Sequence, residues 1–149
     1  MLKMKKKFIL MMMCFCLLSL PLKAGFDISE SDMMASQVAK EMLQNEAYFE
    51  HLDETQKAAV CTGAISSYQG CLAGEKAGEQ FLEASKILFG EVYGNLSEYE
   101  GYIKGGAVYG FLLAKQAQKC DVVGAFTNNN CQEMMLKNAQ YIQEHLSGQ

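Results

Sequence analysis

Residues 53–76 read DETQKAAVCTGAISSYQGCLAGEK, and their spacing sets the architecture. Asp53 followed three positions on by Gln56 is a helix start, because a short acceptor side chain satisfies the free N–H groups of a first turn. Ala58, Val60, Ile65 and Leu72 then continue at helical spacing. Small residues recur every fourth position: Ala59, Gly63 and Ser67 on one line, and Ser66, Gly70, Gly74 and Gly78 on another. Residues four apart share a helix face. A helical glycine costs about 0.8–1 kcal/mol relative to alanine, so such strips need a compensating gain. Close approach of a second backbone supplies it.

A matching strip lies downstream at Gly101 and Gly105, then Gly106, Gly110 and Ala114. The two strips predict that these helices pack tightly at the core, a geometry best known from membrane helices. Glu75, Lys76, Lys104 and Lys115 argue against membrane burial. The alternative is that Gly70, Gly74 and Gly105-Gly106 break the segments into shorter helices.

Working outward, the spacing predicts five helices. The first runs from Ser29 or Ser31 to about Leu52, and the second from Asp53 to about Lys76. The third spans about Gly78 to Tyr93, with Phe81, Leu82, Ile87, Leu88 and Val92 as its apolar face. Ser97 with Glu100 forms a capping box opening the fourth, which continues to Cys120. Asp121–Asn129 reads as a loop whose Val122, Val123 and Phe126 dock on the bundle, and Asn130 with Glu133 opens the fifth helix. From Gly25 onward there is no proline, while Ala, Leu, Met, Glu, Gln and Lys abound, which favours an all-α bundle.

The start of the chain has another character. Lys3, Lys5, Lys6 and Lys7 precede an apolar run from Phe8 to Leu18, followed by Pro21 and Ala24. A basic start, a short apolar middle and a small residue at the cut form a secretory signal. The run is shorter than the roughly 20 residues of a membrane span. Residues 1–24 therefore read as a signal peptide of bacterial type and 25–149 as one helical domain, periplasmic or secreted.

Five of the 13 lysines (3, 5, 6, 7 and 23) fall in the signal and none of the 17 acidic residues does, so eight lysines face 17 carboxylates and the domain carries −9. Arginine and tryptophan are absent. A negative field opposes nucleic acid and anionic membrane surfaces, and the bidentate guanidinium grip on phosphate has no residue to make it. The charge suits a basic protein partner.

Cys61, Cys71, Cys120 and Cys131 remain in the domain. An even set in an exported protein implies disulfides, and no spacing here is that of a zinc site. Cys61 and Cys71 would lie about 15 Å apart along a continuous helix, too far for the ~7 Å limit of a disulfide. Cys71–Cys120 with Cys61–Cys131 is the favoured pairing. Cys120–Cys131 is its rival should the helix break near Gly70.

No hydrolase elbow, phosphate-binding glycine loop or haem motif occurs. His51 among Glu50, Asp53 and Glu54, and His145 in a last turn, suit solvated helix ends better than metal ligation. Met33-Met34 and Met134-Met135 read as packing rather than copper sites. No cofactor and no enzyme activity are expected, although an unfamiliar carboxylate site is left open. Tyr93, Tyr99 and Tyr102 beside Glu98 and Glu100 form a candidate partner surface, since tyrosine is enriched at interfaces. The expected function is an exported, non-enzymatic protein-binding domain, one version being an immunity or inhibitor protein that neutralises a basic hydrolase. A small-molecule or metal carrier is the alternative.

Overall fold

The structure, a computed structural model, describes residues 29–146; the signal peptide expected over 1–24 lies outside the described residues. Seven helices follow one another there without a strand: α1 (Glu30–Gln44), α2 (Tyr48–His51), α3 (Glu54–Ala73), α4 (Glu75–Tyr93), α5 (Leu96–Ala117), α6 (Asp121–Asn130) and α7 (Gln132–His145). The all-α class holds, with seven helices where five were expected.

The first extra helix arises at Asn45, which leaves helical geometry (φ −131°, ψ 103°). Its side-chain oxygen accepts the Ala47 N–H at 3.1 Å, and the chain re-enters a helix at Tyr48 so that Phe49 turns inward. Asp53 then caps α3: its carboxylate accepts the Gln56 N–H at 2.8 Å, and the Gln56 side chain accepts the Asp53 N–H at 3.1 Å. The box expected from Ser97 and Glu100 does not form. α5 begins at Leu96, behind Asn95 in the left-handed region (φ 44°), so Ser97 lies inside the helix, and the Glu100 carboxylate lies 3.2 Å from Lys86 and 3.9 Å from Lys104.

Of the suspected glycine breaks only Gly74 is real, with φ 107°, so α3 stops at Ala73 and Gly78 belongs to α4. The small residues serve three interfaces. A Cβ on Gly78 would stand 2.7 Å from Gly70 Cα, so the α3–α4 hairpin closes glycine on glycine. A Cβ on Gly63 would collide with the Ile103 carbonyl oxygen, and one on Gly106 with the Val60 carbonyl oxygen. α3 and α5 therefore touch backbone to backbone, as their strips predict, and Ser67 donates its hydroxyl proton to the Ala107 carbonyl across the seam. α1 covers α5 from the other side, where Gly101 and Gly105 receive Met34 and Val38. Val38, Val60, Phe89 and Ile103 fill the core.

α6 is the second extra helix and corrects the loop expected over 121–129. Val123 and Thr127, one turn apart, are both buried, and Gly124 lies against the Tyr68 ring. Disulfides hold both ends. Cys71 bonds Cys120 and Cys61 bonds Cys131, with Cα separations of 5.8 and 5.6 Å. This is the favoured pairing. Ten residues along α3 match eleven along α6, so α6 lies antiparallel on α3, strapped at each end. The asparagine run supports the helix rather than interrupting it, since the Asn130 side chain donates to the Phe126 carbonyl at 2.9 Å. No helix among the described residues is long and apolar enough to cross a membrane.

Candidate interaction surface

The tyrosines singled out from sequence come together in one aromatic cluster with Phe89. Tyr93 stacks on Phe89 at 4.8 Å between ring centroids, Tyr99 meets Phe89 at 5.8 Å, and Tyr102 lies 6.5 Å from Tyr99. Gln56 donates from Nε2 to the Tyr102 hydroxyl at 3.1 Å, tying α3 to α5, and the Lys137 ammonium stands 4.6 Å from the Tyr93 ring centre. Burial, assisted by Glu54, pushes the Tyr93 phenol up to about 12. Burial raises Tyr102 as well, with Asp53 and Tyr99 adding to it. Tyr93 and Tyr102 are neutral, half-buried packing groups at ordinary pH. Glu98 stands exposed at the edge of the cluster, whereas Glu100 is engaged by the two lysines described above.

A different surface is open. α7 buries Met134 in the core and meets α4 where the Tyr141 hydroxyl donates to Glu91 at 2.8 Å and Lys137 stands over the Tyr93 ring. About a third of a turn away run Met135, Ala139, Ile142 and Leu146, spaced four, three and four residues apart on one face. Met135, Ile142 and Leu146 are 52%, 42% and 59% exposed. Met135 also lines a groove of about 400 Å³ between α6 and α3, formed with Tyr68, Gly124 and Thr127 and edged by Asp121. Stripe and groove meet at Met135, with the Asp121 carboxylate at the groove's edge.

Comparison with known proteins adds nothing to this geometry. No family profile, no curated protein and no solved structure matches the chain.

This surface is hard to read from sequence, because inward and outward apolar residues follow one another along the last helix. Two phases are written there: Met134 and Tyr141 inward, and Met135, Ala139, Ile142 and Leu146 outward. A single packed face needs only the first. His51 makes a helix-end contact with the Ala47 carbonyl at 2.7 Å, and no group of three or more His, Cys, Asp or Glu side chains suited to a metal occurs among the described residues.

Proposed function

We propose that this chain is an exported, non-enzymatic domain that binds a basic protein partner through the outer face of α7 and the adjoining α6 groove. The supporting observation is the Met135–Ile142–Leu146 stripe, exposed on a helix whose other face is already packed. A helix in this state offers apolar contacts at successive turns, the pattern by which amphipathic helices dock. Exposed contiguous apolar surface marks interaction sites in soluble proteins. The partner's charge follows from eight lysines against 17 carboxylates in residues 25–149, since an acidic body attracts basic proteins over a distance of about a Debye length. Two disulfides and the lack of a membrane-crossing helix among the described residues are compatible with the periplasm or the medium.

One concrete form is an inhibitor or immunity protein covering a basic hydrolase; its mark would be stoichiometric loss of the partner's hydrolytic activity. The reading is tested by affinity capture from the native cell, using wild type beside an Ile142→Asp/Leu146→Asp variant and an Ile87→Asp control. All three sites are exposed, so the fold tolerates them. A basic protein retained in equal amount by wild type and control, and lost from the double variant, is the expected result. Recovery of the bait alone at low salt, or equal retention by all three, overturns it.

A further inference from the structure

A second concavity lies on the opposite side of α6, where the sequence brings residues of four elements together. Its floor is Met42 of α1 and Phe49 of α2, both buried. Its walls are Tyr109 of α5 and Phe126 of α6, and Glu46 and Glu50 stand at the rim, around about 210 Å³ of space. Phe126 is the hinge of this aromatic corner. It meets Phe49 at 5.4 Å and 75°, and Tyr109 at 5.2 Å and 71°, both edge-to-face. The strap of two disulfides fixes α6, and thereby Phe126, at that place.

We infer that this cavity binds an alkylammonium group, seated among Phe49, Tyr109 and Phe126 and neutralised by Glu46 and Glu50. Aromatic rings carry a negative π face that attracts a cation strongly once water is excluded, and cages of several rings are the usual receptor for methylated ammonium groups. A hard divalent ion calls for six or more oxygen ligands, and no group of three or more His, Cys, Asp or Glu side chains suited to one occurs among the described residues. Met42, Phe49, Tyr109 and Phe126 make half of this lining, and Asn45, Glu46, Glu50 and Asn130 make its polar half. Attraction of an ammonium to these rings already operates nearby, where Lys57 Nζ stands 5.7 Å from the centre of the Phe49 ring. Lys57 is not part of the cavity lining. Burial raises the Tyr109 phenol, so this wall is a neutral ring rather than a phenolate at ordinary pH. The charge that selects a cation comes from the two glutamates.

The ammonium has two possible sources, a free quaternary amine or a lysine side chain of another protein. The inference stands apart from the docking face on α7, which shares no residue with this cavity. The test titrates the full, oxidised protein with choline, with Nα-acetyl-lysinamide and with 3,3-dimethylbutanol, the uncharged counterpart of choline, following aromatic NMR signals. Saturable shifts of Phe49, Tyr109 and Phe126 by one or both cations are expected, with the neutral alcohol at least about tenfold weaker. Glu46→Gln/Glu50→Gln, at exposed positions, is expected to weaken cation binding by about tenfold while leaving the fold intact. Preference for choline assigns a free amine; preference for the lysine derivative assigns a protein side chain. Equal binding of the alcohol, unchanged affinity in the double variant, or no saturable shift with either cation overturns the inference. The Ile142→Asp/Leu146→Asp variant retains choline or lysine binding here, which separates the two proposals.

Discussion

At Gly63 and Gly106 the α3–α5 seam leaves no room for a single added carbon, because the obstacle is a carbonyl of the facing backbone. Backbone cannot rotate away as a side-chain tip does. Gly106→Ala is expected to destabilise the protein by at least about 3 kcal/mol, seen as a lower urea midpoint. Gly90 is the contrast: a Cβ there would meet nothing nearer than Leu96 Cβ at 3.7 Å. Gly90→Ala should stabilise by up to about 1 kcal/mol through helix propensity. The tyrosines give a second residue-scale test. Tyr93 holds its proton to about 12, against an ordinary value of 10. The folded state therefore outlasts the unfolded chain in keeping that proton. Its stabilisation is whole below pH 10 and is lost as pH rises through about 12. Unfolding measured from pH 9 upward should show stability falling over this window, and Tyr93→Phe should flatten the fall.

At the scale of elements, α6 shows both what the sequence yields and what it conceals. Helix length excludes one of the three disulfide pairings, because a continuous helix through Cys61 and Cys71 keeps those thiols apart. The choice between the other two rests on Cys71 at the edge of the small-residue strip and Cys120 at the far end of the next glycine-rich helix. The helix between the other two cysteines was hidden by Gly124 and three asparagines, which favour turns in isolation. Its stability is tertiary: Val123 and Thr127 are buried against the bundle and a bridge anchors each end. Long-range restraint of this kind leaves no local signature. The same reason hid the Phe49–Tyr109–Phe126 corner, whose members are far apart in sequence, whereas the glycine strips were legible because their partners repeat at a fixed local period. The bridge between Cys71 and Cys120 spans 49 residues, worth about 4 kcal/mol in the chain-entropy model. Cys71→Ala/Cys120→Ala should release the first turns of α6, with faster amide exchange there than in α3 and α5.

Over the whole molecule the dominant long-range quantity is charge. Residues 25–149 hold 17 carboxylates and eight lysines, and the described ion pairs, Lys86 with Glu83 and Glu100, and Lys104 with Asp32 and Glu100, engage only two of those lysines. Self-repulsion of a folded body weakens as salt shortens the Debye length to about 8 Å at 0.15 M. The melting temperature should therefore rise between low and physiological ionic strength, in contrast to a protein held by surface ion pairs. Association with a basic partner should slow over the same range, since salt also screens the steering field. Opposite responses to one variable, read by calorimetry and by stopped-flow, separate repulsion within the molecule from attraction between molecules.

The ten-residue offset between Cys61 and Cys71 has a consequence for biogenesis. Under the export proposed above, a chain threaded from its N-terminus would bring those two thiols first into the compartment, where its oxidant could join them to each other before Cys120 and Cys131 enter. The bond they would form is incompatible with the finished α3 helix, so it must be undone when Cys120 and Cys131 arrive. Secretion in a strain lacking its disulfide isomerase should accumulate a species of native mass, cross-linked between neighbours in sequence, that shuffles to the mature form once a thiol catalyst is supplied.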